Sequence, residues 1–232
     1  MSHRFFGWNI FLGKRAYKAA LSWQLRMVRY RLAGTIRDTL FYLEHPDVVT
    51  VGRDAKEEDY NCVPKNIEVH QITRGGAVTY HGLGQLVVYP IFNLARQGKD
   101  LHRFVHNLEE GIIRTLAAFD LPSGRRTDHT GVWIEDRKIA SIGVAVSQWI
   151  SYHGAAINLY TDLKKFQMIH PCGLPPEIMT SVLKETGKKV ELEEFAARLT
   201  AEFSGLFDIE FSDTDLDEIN EIIDMEENTQ TL

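Results

Sequence analysis

Apolar and polar positions alternate along this chain with two different periods, which predict helices and strands in an irregular order. Residues 14–33 place apolar side chains on one helical face, at Tyr17, Leu21, Leu25, Val28 and Leu32. The same period recurs over residues 101–116, behind the suitable N-cap Asp100, and over residues 191–207. Gly34 suits the end of the first helix. Three amphipathic helices are therefore predicted.

Short runs rich in β-branched and aromatic residues predict the strands. Residues 39–44 and 48–51 flank His45-Pro46-Asp47, which indicates a hairpin. Residues 68–73 are a further candidate strand. The apolar run 86–94 indicates a buried strand in which Pro90 marks a bulge or an edge position.

The stretch 131–181 begins as a hairpin, with Glu135-Asp136-Arg137 as its polar turn, and residues 209–211 predict an edge strand. Strands and helices follow no βαβ rhythm, so we expect an α+β fold with a mixed or antiparallel sheet packed against helices. The length of 232 residues fits one large domain.

Charge divides the chain into two parts. Residues 213–232 hold eight acidic side chains and no lysine or arginine, so removing them from a net charge of −6 leaves +2 on residues 1–212. We expect a domain over 1–212 and a solvated acidic tail over 213–232, which could also screen a basic face. No basic cluster is dense enough to predict nucleic-acid binding.

Composition gives few further restrictions. The chain is 44% hydrophobic and 25% charged, as in ordinary soluble enzymes. No apolar run approaches the roughly 20 residues of a membrane span, and no signal-peptide cleavage site follows the N-terminal segment. Two cysteines make no disulfide framework, so we expect reduced thiols and a cytoplasmic location.

Cys172 and Lys138 are the first candidates for chemistry. Cys172 stands between Pro171 and Gly173, which fix a tight turn, and a thiol there is either a nucleophile or a small buried side chain. An ammonium about 4 Å away could stabilise the thiolate by up to about 4 kcal/mol and then carry its proton. Taken alone, Lys138 beside a hairpin turn is more typical of a solvated lysine.

Glycine-rich and small-residue segments are the second set of candidates. Residues 74–85 contain four glycines whose N–H groups could converge on a carbonyl or oxyanion, or could simply form a turn, and their spacing matches no nucleotide-binding motif. His81, His153 and His170 compete for any role as base. No pair of cysteine or histidine residues has metal-ligand spacing with a matching second pair, so no metal is expected.

Three motifs resemble one family. They are RGGAVTYHGLGQLVVYPI, RKIASIGVAVSQWISYHGAAINLYTDLKKF and IHPCGLPPEIMTS, and together they are similar to the octanoyl-(acyl-carrier-protein):protein octanoyltransferases, also called lipoyl(octanoyl) transferases. The resemblance implies the fold of the lipoate and biotin protein ligase catalytic domains. It implies transfer of an octanoyl group from acyl carrier protein to a lysine of lipoyl domains, in 2-oxo-acid dehydrogenases and the glycine cleavage H protein. It also implies that neither a nucleotide nor a metal is required.

The same resemblance implies roles for individual residues. Cys172 would be the acyl-thioester nucleophile and Lys138 the residue that lowers its pKa. The walls of the substrate site would be Arg74, Gly75, Gly76, Ala77, Val78, Thr79, Tyr80, His81, Ser141, Ile142, Gly143, Gly154, Ala155 and Ala156. The chain departs from the family at Leu83, usually proline, and at Ala155, usually aromatic. We hypothesise that the small Ala155 widens the acyl slot and relaxes chain-length selection.

Other functions remain open at this stage. An ATP-dependent lipoate-protein ligase would share the fold without needing a nucleophilic cysteine. A non-catalytic acyl-binding module, or a hydrolase that pairs Cys172 with His81 or His153, would also fit parts of the pattern. For the leading interpretation we expect a monomer whose partners are octanoyl-acyl carrier protein and lipoyl-domain proteins, without nucleic acid or membrane insertion.

Overall fold

The computed structural model describes residues 5–170 and 175–229. Within them lie ten strands: β1 Phe5–Lys14, β2 Asp38–Glu44, β3 Val48–Val51, β4 Glu68–Gln71, β5 Val78–His81, β6 Gln85–Ile91, β7 Val132–Ile134, β8 Arg137–Ser147, β9 Ile150–Asn158 and β10 Ile209–Asp213. The helices are α1 Tyr17–Ala33, α2 Leu101–Ala117, α3 Val182–Thr186, α4 Leu192–Phe207 and α5 Leu216–Thr229. The predicted α+β class is confirmed.

Seven strands form the main sheet in the order β10-β1-β2-β6-β9-β8-β7. β1 runs parallel to both β10 and β2, and the other pairs are antiparallel. β1, α1 and β2 therefore make a βαβ unit, because parallel neighbours need a crossover. The sequence interpretation missed this unit since it assigned no strand to residues 5–14. The predicted edge strand at 209–211 and the hairpin turn at 135–137 are confirmed.

A second sheet of three strands has the order β4-β3-β5. The predicted hairpin between residues 39–44 and 48–51 is wrong, because β2 and β3 belong to different sheets. The buried His45 lies at this crossing, where its ring bonds to Arg15 O at 2.7 Å and to Tyr89 Oη at 2.8 Å. β5 also lies inside the glycine-rich segment 74–85, so this segment is partly a strand rather than only a turn.

Pro90 is neither at an edge nor at a described bulge. β6 lies between β2 and β9, and Pro90 pairs with Leu40 of β2. The ladder with β9 ends at Val88, so the missing N–H of Pro90 interrupts no bond on that side. Beyond Val88, the Ser151 hydroxyl of β9 donates to Pro90 O at 2.7 Å, so a side chain links the two strands there.

Helices cover both faces of the main sheet. α2 and α4 pack over one face, and α1 and α5 lie on the other. α2 begins as predicted, with the Asp100 carboxylate accepting a hydrogen bond from Arg103 N at 2.9 Å. α1 ends as predicted at Gly34, whose φ of 87° suits glycine.

The predicted buried face of α1 is partly wrong. Leu25 and Leu32 are 51% and 42% exposed, whereas Gln24 and Arg31 are buried. Each of these buried polar side chains has a hydrogen bond to the protein: Gln24 Oε1 accepts from His153 N, and Arg31 Nε donates to an Asp38 carboxylate oxygen at 2.6 Å.

The acidic C-terminal segment is not a solvated tail where the structure describes it. α5 places Ile219 and Ile223, both 0% exposed, against the core beside α1. Arg26 of α1 bonds to Asn220 at 2.8 Å and pairs with Asp224 at 3.5 Å. The acidic segment therefore covers part of the basic face of α1. The functional division at residue 212 stays a prediction.

Candidate active site

One large cleft of about 1380 Å³ opens between α2, the strands β8 and β9, and the glycine-rich segment. It is larger than the 300–1,000 Å³ typical of small-molecule sites. The residues suggested by the resemblance that line it are Arg74, Gly75, Gly76, Ala77, Thr79, His81, Lys138, Ser141, Ile142, Gly143, Gly154, Ala155 and Ala156. Residues far apart in the chain thus meet at one cavity.

Val78 and Tyr80 do not line this cleft. β-strand side chains alternate between faces, so these two residues point away when Thr79 and His81 point in. Both are buried in a small core under the second sheet, where the Tyr80 ring packs 5.2 Å from that of Phe166. The Tyr80 hydroxyl donates to the Asp47 carboxylate at 2.8 Å.

Lys138 is buried in the cleft wall. It lies near the start of β8, is 4% exposed, and holds Nζ 5.4 Å from the ring centroid of Trp133. Its backbone forms a bridge with Met179, and Lys138 O accepts from Thr180 N at 3.0 Å. The sequence alone favoured a solvated lysine, because nothing in it showed that α2 and residues 126–130 would cover this end of β8.

Cys172 lies outside the described residues, in the gap between His170 and Pro175. The described residues on each side of this gap, His170 and Pro175, both line the cleft. The same cleft is lined by Lys138. The other cysteine, Cys62, is exposed and bonds to the neighbouring Asn61.

Three glycine N–H groups of segment 74–85 are already bonded within the protein. Gly75 N donates to Val144 O at 3.2 Å, Gly76 N to Asp54 Oδ2 at 2.8 Å and Gly84 N to Glu44 Oε2 at 2.9 Å. The expectation that these amides converge on an oxyanion is therefore wrong for all three. They fix the segment to β8, to the loop after β3 and to the end of β2.

Glycine is required in this wall because Arg74 fills the space beside it. A Cβ on Gly143 would lie 2.9 Å from both Arg74 Cδ and Gly75 O. The buried guanidinium donates to Thr50 O at 2.9 Å and to Thr50 Oγ1 at 3.1 Å. It therefore carries a fixed positive charge into the cleft wall.

His81 is held as a neutral ring. Gln85 donates its amide N–H groups to Tyr80 O and Asn158 Oδ1, so its Oε1 accepts from His81 Nδ1 at 2.7 Å. His81 Nε2 then accepts from the Thr50 hydroxyl at 3.3 Å. Burial, followed by the neighbouring His45, lowers the pKa of His81 to about 3. A base with both nitrogens bonded and this pKa would be ineffective at neutral pH.

His153 is also neutral. Burial, followed by the Arg74 charge, lowers its pKa to about 4. Its Nε2 has no hydrogen-bond partner among the residues that the structure describes. With both His81 and His153 weak as bases, a hydrolase built on either ring is disfavoured.

Small residues on β9 let three strands approach closely. A Cβ on Gly154 would lie 2.0 Å from Val88 O on β6, and Ala155 and Ala156 follow it at 3% and 5% exposure. Ser141 and Ile142 on β8 pair with these two alanines. These small side chains leave room in the cleft beside this wall for a slender apolar chain.

The sequence interpretation missed two residues, one that lines the cleft together with Lys138 and one that packs on the Lys138 side chain. Glu109 of α2 is 8% exposed and lines the cleft. Gly131, in the loop before β7, adopts a φ of +135°. A charged residue beside the apolar stripe of α2 was the available signal for Glu109, since buried carboxylates are rare without a partner.

Within residues 5–170 and 175–229, no group of three or more histidine, cysteine, aspartate or glutamate side chains is arranged to hold a metal ion. In the same ranges no helix combines the length and apolar character needed to span a bilayer.

Comparison with known proteins agrees on one family. Residues 16–204 match the model of the lipoyl protein ligase A/B catalytic domain. The chain is 44% identical to an octanoyltransferase of Caldanaerobacter subterraneus subsp. tengcongensis, over 76% of this chain and 79% of that protein. It is 44% identical to an octanoyltransferase of Geotalea uraniireducens, over 85% and 91% of the two chains. It is 42% identical to an octanoyltransferase of Thermosynechococcus vestitus, over 89% of this chain and 92% of that protein.

Solved structures share the fold at low identity. Lipoate-protein ligase A bound with ATP superposes with a TM-score of 0.74 at 19% identity, over 95% of this chain and 94% of that one. A bi-partite lipoate protein ligase from Thermoplasma acidophilum superposes with a TM-score of 0.71 at 18% identity, over 95% of this chain and 92% of that one. The biotin protein ligase of Aquifex aeolicus superposes with a TM-score of 0.51 at 13% identity, over 87% of this chain and 69% of that one.

Proposed function

This chain belongs to the lipoyl protein ligase A/B catalytic-domain family and, within it, to the octanoyltransferases, and we propose that it moves an octanoyl group through a thioester on Cys172. The donor is octanoyl-acyl carrier protein and the acceptor is a lysine of a lipoyl domain, in 2-oxo-acid dehydrogenases or the glycine cleavage H protein. The expectations of a monomer and of a cytoplasmic location stay predictions.

The observation that carries this proposal is the burial of Lys138 in the wall of the cleft that is lined by His170 and Pro175. Burial disfavours the charged form of a lysine through desolvation, and a neighbouring negative charge offsets this cost. A thiolate beside it would compensate that charge. The Thr180 N–H bonded to Lys138 O also ties the chain that follows the Cys172 gap to β8.

In the first step the Cys172 thiolate attacks the thioester carbonyl of the donor. A bond forms between Sγ and the acyl carbon, and the bond to the carrier sulfur breaks. The Lys138 ammonium gives its proton to the departing carrier thiolate and becomes a neutral amine. One thioester replaces another, so this exchange is close to isoenergetic.

In the second step the neutral amine of the acceptor lysine attacks the acyl-Cys172 carbonyl. An amide bond forms, the Cys172 thiolate leaves, and Lys138 takes the proton that the nitrogen loses. The thiolate and ammonium of the starting enzyme are restored. Conversion of a thioester into an amide drives the reaction without ATP.

Intact-mass spectrometry tests the covalent intermediate. Mixing the protein with octanoyl-carrier should add the mass of one octanoyl group to the wild type and to Cys62→Ala, but not to Cys172→Ala. Cys62→Ala is the matched control because Cys62 is exposed and does not line the cleft. An adduct on Cys172→Ala would contradict the proposal, and so would transfer that requires free octanoate and ATP, which identifies a ligase.

Lys138→Arg separates the two roles of the amine. Arginine keeps the positive charge but stays protonated, so it can stabilise the thiolate but can neither give a proton to the departing carrier thiolate nor accept the amine proton. The first step tolerates this loss because a thiolate is a stable leaving group that water can protonate, whereas the second step needs a base for the proton of the attacking amine. The acyl-enzyme should therefore accumulate while transfer to the lipoyl domain slows about 10²–10⁴-fold, the usual contribution of general acid–base catalysis. Rapid-quench measurement of both steps checks this, and wild-type transfer in Lys138→Arg would overturn the proton role.

A further inference from the structure

Three separate elements meet around the Lys138 side chain. α2 contributes Glu109, the loop before β7 contributes Gly131, and β8 carries Lys138 itself. Glu109 and Lys138 line the same cleft and are 8% and 4% exposed. The Gly131 N–H donates to Glu109 Oε1 at 3.0 Å, so the carboxylate fixes the backbone that touches the lysine.

Gly131 packs directly on the end of the lysine. A Cβ at this position would lie 2.5 Å from Ala140 O, 2.6 Å from Lys138 Cε and 3.3 Å from Lys138 Nζ. Its φ of +135° is also in the region that favours glycine. The Gly131 backbone and the Trp133 ring, 5.4 Å from Nζ at its centroid, thus limit where the ammonium can sit.

Glu109 is itself held in place. Its second oxygen accepts from Arg125 Nε at 3.0 Å, and Arg125 also donates to His106 O at 3.1 Å. The ion pair with Arg125 and the bond from Gly131 therefore hold the Glu109 carboxylate in the wall that contains Lys138.

We propose that Glu109 is a positioning residue for acyl transfer, which holds Gly131 against Lys138 and favours the ammonium form through its charge. The inference rests on the proposed function, because it assumes that the amine of Lys138 carries the proton. Glu109 acts through the Gly131 backbone and through its electrostatic field.

Two substitutions separate these contributions. Glu109→Gln keeps an oxygen that can accept from Gly131 but removes the charge, so the limb of the kcat–pH profile that depends on Lys138 should move to lower pH. Glu109→Ala also removes the anchor, and kcat should fall at least about 10-fold, with KM for octanoyl-carrier little changed. Glu110→Gln is the matched control, because Glu110 also bonds to Arg125 but does not line the cleft.

Gly131→Ala tests the contact itself. The added methyl group should displace the lysine amine and lower kcat, whereas Gly34→Ala, at a φ of +87° with no atom within 4 Å, should cost only stability. Thermal unfolding of each variant establishes that it is folded. The amount of octanoyl-carrier bound then separates a loss of binding from a loss of chemistry.

The outcomes distinguish this inference from the proposed function. If Lys138→Ala is inactive while the Glu109 variants keep the kcat and pH profile of Glu110→Gln, the positioning role is wrong and the proposed function stands. A loss of activity in Glu109→Ala that only follows a loss of folded protein, with no shift of the profile in Glu109→Gln, also overturns the inference. Full activity in Lys138→Ala would instead overturn the proton role of the lysine.

Discussion

At the scale of single residues, the smallest side chains of β9 set the width of the cleft. No side chain fits at position 154, because a Cβ there would lie 2.0 Å from Val88 O. The next position, Ala155, is 3% exposed and lines the cleft. A larger side chain there would therefore extend into the cavity rather than into solvent. Substitution at position 155 should therefore change what the cavity accepts.

We expect Ala155→Phe to sharpen the preference for octanoyl over decanoyl. A slot closed by the ring should exclude two further methylene groups, at about 0.8 kcal/mol or about fourfold per carbon. Transfer rates with the two acyl-carriers measure this ratio. Ala145→Phe, on β8 outside the cleft lining, controls for the cost of a bulky side chain in the sheet. An unchanged ratio in Ala155→Phe would refute the widened slot.

Which residues face the cleft could be predicted only in part. The resemblance named a continuous run from Arg74 to His81, but strand alternation turns Val78 and Tyr80 into the small core. Glu109 could be suspected only as a charged residue beside the apolar stripe of α2, because its hydrogen bond to Gly131 joins positions 22 residues apart in the chain. Sequence periodicity indicates the face of an element on which a side chain lies. It does not indicate which residues of other elements contact that side chain.

At the scale of secondary-structure elements, periodicity located α2 and α4, whereas strand pairing was predicted for the β7–β8 hairpin but not for β2 and β3. The bounds of α2 and α4 follow their apolar stripes, since burial on one face determines both. The crossing from β2 to β3 instead contains His45, whose partners Arg15 and Tyr89 lie 30 and 44 residues away. Such distant contacts are absent from any local pattern.

α5 should contribute to stability through its two buried isoleucines. Ile219→Ala and Ile223→Ala remove fully buried side chains, and each should lower the free energy of unfolding by about 2–5 kcal/mol. Met225→Ala, 69% exposed on the same helix, should change it by no more than about 0.5 kcal/mol. Urea unfolding compares the three variants. Equal effects at all three positions would show that α5 does not pack in solution.

At the scale of the whole molecule, three buried histidines couple stability to pH. Burial is the largest cause that lowers the pKa of His45 to about 4, of His81 to about 3 and of His153 to about 4. The unfolded chain, with ordinary values of about 6.5, binds more protons below that pH. The contribution of these neutral histidines to the free energy of unfolding is therefore fully present above about pH 6.5 and is lost as the pH falls towards about 4.

Each of these histidines should add a slope of about 1.4 kcal/mol per pH unit to the free energy of unfolding below about pH 6.5. His81→Gln removes one titrating group, so the slope of this variant should be smaller by about that amount. Urea unfolding at several pH values between about 6 and 5 measures it. Parallel pH profiles for the wild type and His81→Gln would show that the ring is not buried neutral.

The parallel pairing of β1 with β10 has a consequence for synthesis on the ribosome. Asn9 aligns with Asp213, so β1 emerges long before the strand that covers its outer edge. At about 5–20 residues per second, the 204 positions between them take about 10–40 s to translate. For that interval the nascent polypeptide exposes an unpaired backbone edge, which makes it a target for holding chaperones and for aggregation when expression is fast.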